Sequence, residues 1–357
     1  MLCYNEAVKN NVDKIIFTQL FASERKQIAF MAAEKSPLRS KSLKNGDNMI
    51  KIDLITGFLG SGKTTFLLKY ARYLMQKGLK IGILEYDYGA VNIDMMLLSE
   101  LRGEKCEVEM LAAACDSDCL QRRFKTKLIA MAMSGYDRII VEPSGIFDMD
   151  MFFDSLREEP LENWYEIGSV ITIVNANLVE KMTKEADYIL ASQASCAGCV
   201  VLSRTQLSTP ENIENTKKHI ANAAEKIHCK KLPATYMEKS WEDFTDKDYE
   251  YLMNSGYHIG DYMKVITEGK GEFSSVNFLD IKDEVPVLKE KIKTLFESEE
   301  YGKVLRVKGF ASENGKNYEI SATENELVVK PMNVGRGVVI VIGSGLDSKK
   351  IKELLDS

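Results

Sequence analysis

One octapeptide constrains this chain more than any other feature. Gly57-Phe58-Leu59-Gly60-Ser61-Gly62-Lys63-Thr64 satisfies the spacing Gly-x4-Gly-Lys-Ser/Thr, with an apolar strand-like run before it and an amphipathic helical pattern after it. Glycines at 57, 60 and 62 let the backbone wrap so that successive N–H groups, that of Ser61 included, point at phosphate oxygens. The N-terminus of the following helix, which opens with Thr64 and Thr65, adds its partial positive charge at the same place. In this arrangement Lys63 bridges β- and γ-phosphates and the Thr64 hydroxyl binds Mg²⁺.

A strand that feeds a phosphate loop and then a helix belongs to an α/β fold, and the rest of the chain continues the alternation. Strands are predicted at 51–55, 80–84, 107–111, 138–141, 169–174 and 199–202, with helical patterns between most of them, such as 64–76 and 121–132. The implied architecture is a P-loop fold with a mostly parallel sheet flanked by helices. It is followed by a small α+β C-terminal domain. Residues 49–239 form the first domain, 240–272 a Trp/Tyr/Asp-rich connector and 273–357 the second domain. The second contains predicted strands at 273–279, 304–307 and 337–342, a helix at 287–296 and a last helix ending at Leu355.

Residues 1–48 read differently. Phe17, Leu20, Phe21, Ile28 and Met31 fall at helical spacings, and a polar stretch runs from Ser36 to Asn48. Either a docking helix precedes the first domain or Met49 is the natural start. For the second alternative, Gly46-Asp47 can be encoded by a sequence resembling a bacterial ribosome-binding site.

Composition removes several classes of function. The chain has 357 residues, with 47 Lys and Arg against 53 Asp and Glu, so its net charge is −6. It therefore lacks the domain-wide basic surface that nucleic-acid binding by counterion release requires. No apolar run is long enough for a membrane helix, and Ile15-Ile16-Phe17 is too short for the core of a signal peptide. Seven cysteines are too few and too irregular for a disulfide framework, which points to a reducing, cytoplasmic setting.

A second apolar strand runs into Glu142-Pro143-Ser144-Gly145. An acid at the end of a buried strand beside a phosphate site either holds a Mg²⁺-bound water or polarises the attacking one. The bland alternative is a helix cap.

Together these pieces resemble the CobW-like family of P-loop GTPases, relatives of the HypB and UreG nickel-insertion proteins. The resemblance rests on Ile55-Thr56-Gly57 through Thr65, on Glu142-Pro143-Ser144-Gly145, on Val304-Leu305-Arg306-Val307-Lys308-Gly309-Phe310 and on Ile342-Gly343-Ser344-Gly345-Leu346-Asp347. It implies GTP binding with Mg²⁺, slow hydrolysis, and a link to metal delivery or cobalamin metabolism. It also assigns catalytic roles to Lys63, Glu142 and Asp87. Asp87 lies in Glu85-Tyr86-Asp87-Tyr88-Gly89-Ala90, which is similar to the family's Glu-Asn-Glu-Phe-Gly-Glu segment that leads to an Asp, here Asp94. Ala90 stands where some relatives have a metal-binding acid.

The family's Cys-x-Cys-Cys motif corresponds here to Cys115-Asp116-Ser117-Asp118-Cys119, one residue longer. Two thiolates suit Zn²⁺ or Co²⁺ but do not complete a tetrahedral site, so Glu85, Asp116 or Asp118 would have to contribute. The competing reading is that these are buried small hydrophobes. Cys196 and Cys199 form a second pair, but Cys199 opens an apolar strand. Where GTPases carry Asn-Lys-x-Asp, this chain reads Ser203-Arg204-Thr205-Gln206. Arg204 can stack on the base as Lys does, whereas the Gln206 amide cannot accept from both guanine N–H groups and suits adenine.

The expectation is a Mg²⁺-dependent GTP-hydrolysing switch that serves a client metalloprotein or corrinoid protein and is capable of forming an oligomer. The alternative is a nucleotide-dependent assembly or reactivation factor for a corrinoid enzyme that binds no metal itself. A small-molecule kinase with Glu142 as base is the third reading.

Overall fold

A computed structural model describes residues 49–87, 93–112, 117–178, 182–229, 231–232, 235–263, 273–279, 281–324, 326–332 and 337–356. The N-terminal helix and linker expected over 1–48 lie outside the described residues, as do Tyr88–Asn92 and Cys115.

Two sheets organise the rest. The first is wholly parallel, in the order β3-β2-β4-β1-β5-β6-β7. Its strands are β1 (Ile50–Thr56), β2 (Ile81–Asp87), β3 (Cys106–Ala112), β4 (Arg138–Glu142), β5 (Tyr165–Asn175), β6 (Cys199–Ser203) and β7 (Tyr236–Met237). Side chains alternate across a strand. Ile52 and Leu54 of β1 therefore pack with Phe124 and Leu128, while Ile55 packs with Phe66, Leu67 and Tyr70 on the other face. The covering helices are α1 (Lys63–Gln76), α2 (Ile93–Leu98), α3 (Ser117–Ala132), α4 (Met149–Leu156), α5 (Lys184–Cys196), α6 (Pro210–Lys226) and α7 (Asp246–Met253). With both faces covered, near-continuous apolar runs such as Ile139-Ile140-Val141 can form central strands.

The centre of this sheet contains a charge. Asp53 is fully buried and accepts from Arg138 Nη1 at 2.6 Å, from the Tyr70 hydroxyl at 2.8 Å and from the Ser169 backbone N–H at 2.9 Å. One carboxylate thereby ties together β1, β4, β5 and α1.

The second sheet is antiparallel, in the order β11-β10-β9-β12-β8. It consists of β8 (Phe273–Leu279), β9 (Lys303–Glu313), β10 (Lys316–Thr323), β11 (Glu326–Met332) and β12 (Val338–Ser344). One face is covered by α8 (Val285–Glu297) and α9 (Ser348–Asp356), through Leu288, Ile292, Val307, Ile320, Val341 and Ile351. The other face meets the nucleotide-side elements: Met96 of α2 packs against Phe310, Val338 and Ile340.

Three differences from the sequence reading have physical causes. β9 runs on to Glu313 and turns into β10 through Asn314 (φ 52°) and Gly315 (φ 74°). Asn-Gly is the residue pair that such a two-residue hairpin demands, yet β10 and β11 were not expected. Their polar alternate residues, including Glu319, Ser321 and Glu326, face a cavity and so do not look like half of a buried strand. The connector begun at 240 is also more structured than its composition suggests. A single 3-10 turn, Trp241–Asp243, and α7 pack Trp241, Phe244, Tyr249 and Leu252 onto the core.

Candidate nucleotide and metal site

The loop between β1 and α1 lies at the carboxyl end of the central strand, where open α/β sheets bind ligands. Gly57 (φ 147°) has no room for a side chain, because a Cβ there would lie 2.2 Å from the Ile173 carbonyl oxygen. Lys63 is buried, and its ammonium donates to the Gly57 carbonyl at 3.1 Å. The adjacent strand β4 delivers Glu142, and β2, next in order, places Glu85 in register beside it. Gly145 brings the Glu142–Gly145 turn onto the loop so closely that a Cβ would lie 2.7 Å from the Leu59 backbone nitrogen.

The Thr64 hydroxyl lies 2.7 Å from Glu142 Oε1 and 3.0 Å from Asp94 Oδ1. One hydroxyl proton cannot serve two ionised carboxylates, so an additional proton must be held within this buried trio. Burial, and then the negative charge of Asp94, push Glu142 up to about 7, which makes it the holder. Burial raises Asp94 too, but the ammonium of Lys308 and the guanidinium of Arg306 outweigh that effect and hold it down at about 2. Lys308 belongs to β9 of the second sheet, and its ammonium is hydrogen-bonded to Asp94 Oδ2. Lys63 is pulled down to about 8, chiefly by burial. Glu142 opposes that shift, while Arg306 and Lys308 reinforce it.

These groups open onto one cavity of about 1270 Å³ between the two sheets. Its walls include Gly60, Gly62, Lys63, Thr64, Thr65, Glu85, Glu142, Ser203, Arg204 and Gln206. Gly57 and Ser61 lie just behind that surface, Gly57 as acceptor of the Lys63 ammonium and Ser61 almost fully buried. Most residues singled out in the sequence thus converge on one place. Asp87 ends β2 beside it. Cys119 sits half-buried in the first turn of α3, and Cys115 lies outside the described residues. Among the described residues, no three His, Cys, Asp or Glu side chains gather as a metal-binding group. Cys196 and Cys199 are buried in different core clusters, and burial pushes their thiols up to about 11 and about 12. That environment disfavours the thiolate a metal or redox role needs.

Sequence reasoning passed over several residues. Asp94 was visible as the acid to which the Glu85 segment leads, and Lys308 and Arg306 lay inside a quoted motif without a role. Trp241 belongs to the supposed connector. Its indole N–H donates to the Leu202 carbonyl at 3.1 Å, and its ring lies against Gly62, where a Cβ would come within 3.2 Å. Arg204, in the left-handed region (φ 58°), is ion-paired with Glu326 of β11 and donates to the Gly60 carbonyl at 3.1 Å.

Mg²⁺ fits these residues. It takes oxygen ligands, usually one or two carboxylates with phosphate oxygens and waters. Thr64, Asp94 and Glu142 offer such oxygens. Glu142 Oε2, Ser61 Oγ and Ser144 Oγ are buried with no hydrogen-bond partner among the described residues, as expected where a polar ligand completes a site.

A phosphate loop on a parallel sheet, with a lysine, a hydroxyl and two carboxylates around it, defines a P-loop nucleotide-binding protein. Residues 51–230 match the model of the CobW/HypB/UreG nucleotide-binding domain, and the chain belongs to that family. It is similar to the zinc chaperone YeiR of Escherichia coli (26% identity over 164 residues, 46% of this chain and 49% of YeiR). It is also similar to the zinc chaperone YjiA of the same organism (25% over 190 residues, 51% and 53%). The zinc-regulated GTPase metalloprotein activator 1 of Schizosaccharomyces pombe matches at 23% over 195 residues, 52% of this chain and 46% of the relative. The chain spans about half the length of the curated relatives it matches.

Proposed function

We propose that this protein binds and slowly hydrolyses GTP with Mg²⁺ and uses the cycle as a switch in delivering a metal ion to a client metalloprotein. The observation that carries the reading is the Thr64 hydroxyl shared between Glu142 and Asp94, one residue after a buried P-loop lysine. Backbone amides of residues 60–64 and the Lys63 ammonium bind the β- and γ-phosphates; Thr64, Asp94 and Glu142 would hold Mg²⁺. That ion supplies Lewis-acid neutralisation of charge on the phosphates. Glu142, once ionised, orients the attacking water through Oε2 and accepts its proton as the water oxygen bonds to the γ-phosphorus and the bond to the β-phosphate oxygen breaks. GDP and inorganic phosphate result.

The names of the relatives, two zinc chaperones and a zinc-regulated GTPase, support zinc as the cargo rather than cobalt. Cys119 and Glu85 are the described residues we assign to it. Arg122 and Arg123 lie on the exposed side of α3 and do not line the cavity, so neither is assigned a charge-stabilising role.

The test measures Zn²⁺ affinity by chelator competition with GDP and with a non-hydrolysable GTP analogue. Linkage requires that nucleotide and metal change each other's affinity by the same factor. A shift of about tenfold or more, 1.4 kcal/mol, abolished in Cys119→Ser, supports the switch. Equal or negligible Zn²⁺ affinity in both states overturns metal delivery. Displacement of bound nucleotide by ATP as effectively as by GTP overturns guanine specificity, because Gln206, exposed at the cavity wall, offers a neutral amide where an Asp would accept from guanine.

A further inference from the structure

Lys308 is only 6% exposed, yet it comes from the antiparallel sheet and ends on a carboxylate of the phosphate site. Arg306 stands two residues earlier on the same strand, so both side chains project from one face of β9, and both line the cavity. The position of Lys308 is fixed from two sides. α2 carries Asp94, which Lys308 meets, and also Met96, which packs into Phe310, Val338 and Ile340 of the same sheet face. This is therefore not a floppy surface pair.

Cations from the phosphate loop and from β9 share this cavity. Lys63, Arg306 and Lys308 act on one another strongly enough that the two residues from β9 lower the proton affinity of Lys63. Asp94 serves Thr64 through Oδ1 and Lys308 through Oδ2, which puts the Lys308 ammonium two hydrogen bonds from the hydroxyl that follows the P-loop lysine. Lys63, Lys308 and the half-buried Arg306 thus line one cavity together with the phosphate loop, a set of donors suited to an anion carrying several charges.

We propose that Lys308, with Arg306 beside it, binds the γ-phosphate of the nucleotide held by the P-loop, so that the C-terminal sheet distinguishes a triphosphate from a diphosphate. The inference rests on the nucleotide reading above. In the free protein Lys308 rests on Asp94. When a triphosphate enters, its γ-phosphate competes with Asp94 for the ammonium, and Lys308 exchanges the carboxylate for a γ-phosphate oxygen, leaving Asp94 to Thr64 and to the Mg²⁺ it would hold. With a diphosphate there is no such oxygen, and Lys308 stays on Asp94. No covalent bond changes in this step.

The experiment measures equilibrium binding of fluorescent GDP and of a fluorescent non-hydrolysable GTP analogue, both with Mg²⁺. The proteins are the unaltered full chain, Lys308→Met, Lys308→Arg and Arg306→Gln, each checked by thermal melting. A charge-assisted hydrogen bond predicts that Lys308→Met lowers the preference for triphosphate roughly tenfold. That loss should fall on the triphosphate side, with GDP affinity unchanged or tighter. Lys308→Arg should retain most of the preference, and Arg306→Gln should reduce it. An unchanged preference in Lys308→Met, or an equal loss for both nucleotides, overturns the proposal and leaves Lys308 a structural ion pair. If Lys308→Met does not fold, Arg306→Gln decides: an undiminished preference overturns the proposal. Unaltered protein that binds both nucleotides equally overturns this inference alone; protein that binds neither overturns the nucleotide reading beneath it.

Discussion

Glu142 and Lys63 set opposite limits on the pH at which this site works. In the ligand-free protein Glu142 is raised from its ordinary 4.5 to about 7, so the fold favours its protonated form. Its contribution to stability is therefore present below about 4.5 and is lost as the pH rises to about 7. Nucleotide binding with Mg²⁺ has the opposite requirement, because the carboxylate must give up that proton. Below about 7, GTP affinity should fall by up to tenfold per pH unit as the site reprotonates. Above about 8, Lys63 loses its charge and affinity should fall again. The expected profile is a maximum between the two, measured by titration calorimetry in buffers of different ionisation enthalpy, which also counts the proton released. Glu142→Gln should remove the acid limb and leave the alkaline one; an acid limb that persists would place the proton elsewhere.

At the scale of elements, the site depends on two loops held in near contact. Gly145→Ala puts a methyl group 2.7 Å from the Leu59 nitrogen and 2.9 Å from its Cα, backbone atoms that cannot rotate away. Overpacking of this kind costs about 1–3 kcal/mol. We expect GTP affinity to weaken roughly tenfold, read by equilibrium binding; an unchanged dissociation constant would mean that the loop shifts freely. The phosphate side of the site was legible because its signal is local: Gly57 to Thr64 fixes a turn and a helix start within a few residues, and the strand ending at Glu142 is a continuous apolar run. The opposite wall was not, since Asp94 and Lys308 are joined by topology rather than by spacing. β10 and β11 present polar residues to the cavity and apolar ones to α8, an alternation that Asn314-Gly315 marks as a hairpin but that no apolar run marks as buried strand. The aromatic residues 241–253 fall within the connector expected over 240–272 because their acidic neighbours mask a helical stripe that packs on the core.

For the molecule as a whole, Asp53 is the residue through which several elements depend on one charge. Removing one partner of a buried ion pair leaves the other uncompensated, at a cost of about 3–5 kcal/mol. Asp53→Ala should lower the urea midpoint accordingly with little change in slope, since the surface exposed on unfolding stays the same; a loss below 1 kcal/mol would show that water reaches Arg138. The cavity has another molecular consequence, one that concerns biosynthesis. Its phosphate loop is complete once Thr64 has been made, but the wall that carries Arg306, Lys308 and Glu326 lies far downstream of it in the sequence. Chains fold from the N-terminus as they are synthesised. A nascent chain that has built the parallel sheet therefore presents a phosphate loop open on one side, and the enclosed pocket forms only after β9, β10 and β11 have been made.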